Sequence, residues 1–323
     1  MSSRVKKIYH TTLLILSIVL IVGVVIYIKQ SPITIAQLKN LHPLYMILLI
    51  ALHALGFWFL GFTQVMPLKK HNIEIKTNEW YGLSVVAELF NMILPANGGT
   101  GIRMMYLKDK KNLPIRQFLS MNFAVILTGF TMLGIFGSLY FQYVLNKNDD
   151  VFRLLESLFI ALALSGIMLL VFSEILGKVF KIKRKYSPKI YLFDTKFALK
   201  ATAVWFAFFA LYPLKIYLSF LAIGVHIGAS ESFEISLILL VASFFQVLPG
   251  NIGVKELITA YISSHYGIKF ETALLASLID RGVLLLFLLP VGFYFYWELF
   301  LDAAIPKIAI PFLRPSQSEQ TSP

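Results

Sequence analysis

The chain has 323 residues, of which 58% are hydrophobic and only 14% charged, and its formal net charge is +12. Soluble domains carry about 25% charged residues, so this composition excludes an ordinary soluble globule. The absence of cysteine excludes disulfides, thiolate metal sites and cysteine nucleophiles, and the basic excess reads as cytoplasmic loops rather than a nucleic-acid surface.

Apolar segments fall at 8–28, 44–66, 80–95, 118–145, 154–176, 197–225, 233–248 and 272–297. Several reach the roughly 20 residues that span a bilayer as helix. The first follows Arg4, Lys6 and Lys7 and ends in Tyr27-Ile28-Lys29. It is longer than the core of a cleaved signal, roughly 7–15 residues, and lacks a small-x-small site, so it reads as a retained transmembrane helix.

Two of the runs end abruptly. Ile93 to Arg103 reads ILPANGGTGIR, and Val247 to Leu257 reads VLPGNIGVKEL. Both contain Pro-x-Asn-x-Gly, as Pro95/Asn97/Gly99 and Pro249/Asn251/Gly253. With the N-terminus inside, a full crossing by 80–95 would put Arg103, Lys108, Lys110, Lys111 and Arg116 outside, against the positive-inside bias. A re-entrant turn at Pro95–Gly101 keeps them inside. The same device at Pro249–Gly253 lets 233–248 enter from outside and return through 254–265. Most loop Lys and Arg residues then lie inside.

The expected architecture is an all-α polytopic membrane protein with six full transmembrane helices and two re-entrant helical hairpins. The first repeat is 1–147, with its hairpin at 80–102 from the cytoplasmic side. The second is 148–305, with its hairpin at 233–265 from the outer side. A polar tail follows at 306–323, and both termini are cytoplasmic. Each half has an odd number of crossings, so the halves form an inverted-topology repeat, as in many secondary transporters.

Broken backbone at membrane depth survives only when buried in protein or lining a wet cavity. A helix is expected to begin after each break, near Gly101 and Gly253, with free N–H groups and a positive dipole end that attract phosphate or carboxylate. Arg103 and Lys255 stand at those starts. With Arg281 they form the candidate headgroup site, to which Asn97, Asn251, Gly99 and Gly253 are added from the breaks. The asparagines serve equally well as caps or turn residues. Glu88, Glu256, Asp280 and Lys215 lie inside apolar runs, where charge is costly. They are read as proton carriers or as ion pairs that lock the repeats together, with Lys215 also able to snorkel outward. The histidines show no metal spacing, His53 reads as a packed side chain, and no metal, cofactor or catalytic constellation is expected.

At these residues the chain resembles the transmembrane, flippase-like region of lysylphosphatidylglycerol synthases and their stand-alone relatives. Leu248 to Glu256, LPGNIGVKE, is similar to the family pattern Leu-Pro-Gly-x-x-Gly-Val-Arg-Glu, with Lys255 in place of the arginine. Arg281 fits the arginine frequent after that hairpin. In the first half the family tends to Leu-Pro-x-Arg-x-Gly-Glu-x-x-Arg. Leu94 to Arg103 keeps the proline, Gly99 and Arg103, while Asn97 and Thr100 replace the arginine and glutamate. A basic residue often seen in the next helix has no clear match around Met121 to Ile126.

The resemblance implies a stand-alone member without the synthase domain: not an enzyme, but a protein of the bacterial inner membrane that moves a lipid between leaflets. Its substrate is expected to be an anionic or phosphate-bearing lipid. Two alternatives stay open. One is a non-transporting partner of a glycosyltransferase or lipid-modifying synthase. The other is a small-anion or amino-acid carrier.

Overall fold

The computed structural model describes residues 41–143, 150–179, 189–192, 194–246 and 248–301, and every regular element among them is helical. The first predicted helix, 8–28, and the tail at 306–323 lie outside the described residues. The first helix described, α1, spans Pro43–Leu68 and is extended by a 3₁₀ turn at Lys69–His71. The next two are α2, Thr77–Ile93, and α3, Gly99–Lys111. They are followed by α4, Ile115–Tyr143, and α5, Asp150–Val179. A short α6, Lys189–Leu192, leads to α7, Thr195–Ala222. Then come α8, Ala229–Phe244, α9, Val254–Ser264, and α10, Phe270–Tyr296.

Four of these are long and apolar enough to cross a membrane: Pro43–His71, Ile115–Tyr143, Thr195–Ala222 and Phe270–Leu301. The two interrupted segments are different. Helices α2 and α3 have 17 and 13 residues, and α8 and α9 have 16 and 11. All four fall short of the roughly 20 residues of a full span. A pattern of long, short, short, long therefore occurs twice: α1 to α4, then α7 to α10.

The proline of each break explains where its helix stops. The residue before a proline is pushed out of the helical region. Leu94 accordingly sits at φ −102°, ψ 137°, and Leu248 at φ −85°, ψ 152°. Left-handed residues then turn the chain: Ala96 and Asn97 in the first break, Gly250, Asn251 and Gly253 in the second. Helices α3 and α9 start at Gly99 and Val254, close to the expected positions.

Packing between helices relies on small residues, which let apolar helices approach without a hydrophobic driving force between them. A Cβ on Gly61 would strike Trp80, one on Gly82 Phe295, one on Gly129 Trp205, and one on Gly134 the backbone of Ala163. These glycines seat α1 on α2, α2 on α10, α4 on α7 and α4 on α5. The Trp205 indole N–H donates to the Val125 carbonyl at 3.2 Å, adding a polar tie between α7 and α4.

At the basic end of the bundle, Lys70 Nζ lies 2.5 Å from Asp194 Oδ2. Asp194 also caps α7 by accepting the Phe197 N–H at 3.0 Å. The Lys70 contact and then the backbone N–H hold the Asp194 carboxyl below its ordinary range. The 3₁₀ turn after α1 is thereby tied to the start of α7.

Gly99 is the tightest point of the first hairpin: a Cβ there would come within 1.7 Å of the Ala87 carbonyl oxygen, whereas Gly101 faces open space. Gly99→Ala is expected to destabilise the protein by about 1–3 kcal/mol, the usual scale of overpacking. Gly101→Ala is expected to be neutral or slightly stabilising, since alanine is the better helix former. Melting temperatures of the two variants in detergent check this; equal losses would contradict the close approach.

Candidate functional site

The two hairpins point their tips at each other. Gln246 Nε2 donates to the Asn91 carbonyl at 3.0 Å. A Cβ on Gly250 would lie 2.6 Å from Met92 Sδ, so the second tip rests directly on the end of α2. Between them lies a cavity of about 430 Å³.

The charged lining of this cavity gathers residues far apart in sequence. Arg103 comes from α3, Lys215 from α7, Lys255 and Glu256 from α9, Asp280 and Arg281 from α10, Glu88 from α2, and His53 from α1. Asn97 and Thr100 line it from the first tip. The sequence-based choices Arg103, Lys255, Arg281, Asn97, Glu88, Glu256, Asp280 and Lys215 thus meet in one place.

Their local bonding divides them into two sets. Arg281 is a clamp. Its Nε donates to Glu256 Oε1, and its Nη1 and Nη2 donate to the carbonyls of Gly250 and Asn251 at 3.1 and 3.4 Å. Glu256 also accepts the Gly253 N–H at 2.8 Å. A carboxylate at the third residue of α9 meets the positive end of that helix. The second tip is therefore held by side chains that replace the hydrogen bonds its backbone lost. Asp280 is likewise engaged, 3.0 Å from His53 Nε2.

The other set has no such partners. Among the described residues, Arg103, Lys215 and Lys255 have no carboxylate within 4.0 Å. The Arg103 Nε is buried without any hydrogen-bond partner. Lys215 lies over the Tyr212 ring, 3.9 Å from its centroid. Glu88 accepts from Asn91 Nδ2 at 3.0 Å and stays within electrostatic reach of all three cations.

Three further candidates take structural places. Asn251 is 3% exposed and donates to the Ala242 carbonyl at 2.7 Å, fastening the second tip to α8. Gly253 supplies a backbone φ of +84° and the N–H that Glu256 accepts. Gly99 allows the close approach to Ala87 and donates its N–H to Asn91 Oδ1 at 2.8 Å. None of the three lines the cavity.

The sequence reading missed Asn91 and Gln246, and it took His53 for a packed side chain. Asn91 ties Glu88, the start of α3 and the second tip together. A polar amide two to four residues before each break was the available signal, because amides in apolar segments serve backbone groups that the helix no longer satisfies. His53 is buried, as expected, but its partner lies 227 residues away.

Residues 14–292 match the family described as the lysylphosphatidylglycerol synthase TM region. No curated protein and no solved structure matches the chain.

The clamp generates a test of its own. Removing one partner of a buried ion pair costs about 3–5 kcal/mol, because the other is left uncompensated. Arg281→Met and Glu256→Gln are each expected to lower the melting temperature strongly. The double variant is expected to lose less than the two losses combined. Additive losses in a double-mutant cycle would contradict the pairing.

Proposed function

The chain belongs to the family of the lysylphosphatidylglycerol synthase transmembrane region, and from that premise we propose that it moves an anionic or phosphate-bearing lipid between leaflets. The observation that carries this reading is the set of three cations, Arg103, Lys215 and Lys255, that line a shared cavity and have no carboxylate within 4.0 Å among the described residues. Unpaired charge in an apolar bundle is costly. A phosphate or carboxylate that enters and leaves removes that cost transiently.

A lipid fits better than a free anion because the cavity has two characters. Besides the cations it is lined by Val125, Ile126, Trp205, Phe208 and Phe244. Ile126 lines the cavity and also continues an exposed apolar stripe with Leu119 and Phe123 on α4. A headgroup can sit among the cations while its chains leave across this stripe.

In this reading α1, α4, α5, α7, α10 and segment 8–28 cross a bacterial inner membrane, with both termini in the cytoplasm. The α2–α3 and α8–α9 hairpins re-enter from opposite sides. The repeated order of long and short helices supports an inverted pair of repeats, whose rocking would expose the cavity to each leaflet in turn. Arg281 and Glu256 hold the second tip during this motion, and Arg103, Lys215 and Lys255 read the headgroup. No catalytic step is assigned to any residue.

The test is leaflet exchange of labelled phosphatidylglycerol in proteoliposomes. Wild-type protein is expected to accelerate it. The Arg103→Gln/Lys255→Met variant is expected to lose at least about tenfold, since each lost charge-assisted contact is worth about 1.5–3 kcal/mol. Unchanged exchange by a correctly folded double variant would overturn the headgroup role of these cations.

A further inference from the structure

The ionisable lining of the cavity consists of Arg103, Lys215, Lys255 and Arg281 against Glu88, Glu256 and Asp280, with His53 beside Asp280. Four cations face three carboxylates. Counted apart from His53, the cations exceed the carboxylates by one. Buried charge that is not balanced locally is expensive, and its cost grows as the surrounding dielectric falls.

We infer that the cavity selects its lipid by net headgroup charge, and that its substrate carries one net negative charge: a phosphodiester headgroup without a compensating amine. This rests on the proposed transport of a lipid through the same cavity. A zwitterionic headgroup leaves the positive charge of the site unbalanced. A headgroup with an additional phosphate overshoots it and faces Glu88 with its excess.

Two residues set the balance without holding the fold. Arg281 and Glu256 are bonded into the second tip, and Asp280 is bonded to His53. Glu88 and Lys215 form no ion pair among the described residues. Glu88→Gln keeps an acceptor for Asn91 and raises the site to two net positive charges. Lys215→Met keeps the unbranched side chain over Tyr212 and lowers the site to zero. The selected headgroup should therefore shift in opposite directions in the two variants, which a merely structural role for either residue would not produce.

The experiment compares leaflet exchange of three fluorescent lipids in the same vesicles: phosphatidylcholine, phosphatidylglycerol and phosphatidylglycerol phosphate. Wild-type protein is expected to move phosphatidylglycerol at least about tenfold faster than the other two, because an unbalanced buried charge costs several kcal/mol. Glu88→Gln is expected to turn the preference toward phosphatidylglycerol phosphate, and Lys215→Met toward phosphatidylcholine. Melting temperatures within a few degrees of wild type establish that both variants are folded. Exchange that ignores headgroup charge, or a uniform slowing of all three lipids in both variants, overturns the selection rule while leaving lipid transport in place. Failure of the folded wild-type protein to move any of the three removes the transport reading and the selection rule with it.

Discussion

A backbone that turns inside an apolar bundle exposes N–H and C=O groups that lipid cannot satisfy, at several kcal/mol each. Every unusual feature of this protein near its two breaks answers that problem. Asn91 accepts the Gly99 N–H, Gln246 donates to the Asn91 carbonyl, Asn251 donates to Ala242, and Glu256 accepts from Gly253. Arg281 caps two carbonyls of the second tip at once. The first tip is served by neutral amides, and the second by the Asn251 amide together with a buried ion pair. This polar scaffold fixes the tips against each other, and the space left between them is the cavity.

The same scaffold explains which charges are available for binding. Arg281 is the most heavily bonded cation of the site, so its position in the cavity wall is a consequence of holding the tip. Arg103, Lys215 and Lys255 come from three different helices and line the same cavity. The helix N-termini that first suggested anion binding contribute less than expected. Glu256 occupies the start of α9, and Asn91 takes the first N–H of α3.

Much of this was legible in the sequence for a physical reason. Proline removes a donor and restricts its predecessor, so Pro95 and Pro249 mark where a helix must stop whatever packs around it. Long apolar runs give α1, α4, α7 and α10 within a few residues for the same kind of local reason. Charged residues inside such runs are costly wherever they point, so Glu88, Lys215 and Asp280 stood out singly, and Arg103 stood out at the helix start after the first break. Their partnerships did not. His53 meets Asp280, and Arg281 meets Glu256, only because α10 packs on both α1 and α9. Nothing local distinguishes a clamp such as Arg281 from Lys255, which has no carboxylate within 4.0 Å among the described residues.

The most direct test of this account asks whether the space between the tips is wet and lipid-accessible. The chain has no cysteine, so Thr100→Cys places a single thiol on the cavity wall at the start of α3. In vesicles of phosphatidylcholine, a small water-soluble thiol reagent is expected to label it. Replacing part of that lipid with phosphatidylglycerol is expected to slow the labelling by occupying the site. A thiol that stays unreactive in the folded protein, or one labelled at the same rate in both lipids, would contradict a hydrated cationic cavity that receives an anionic headgroup.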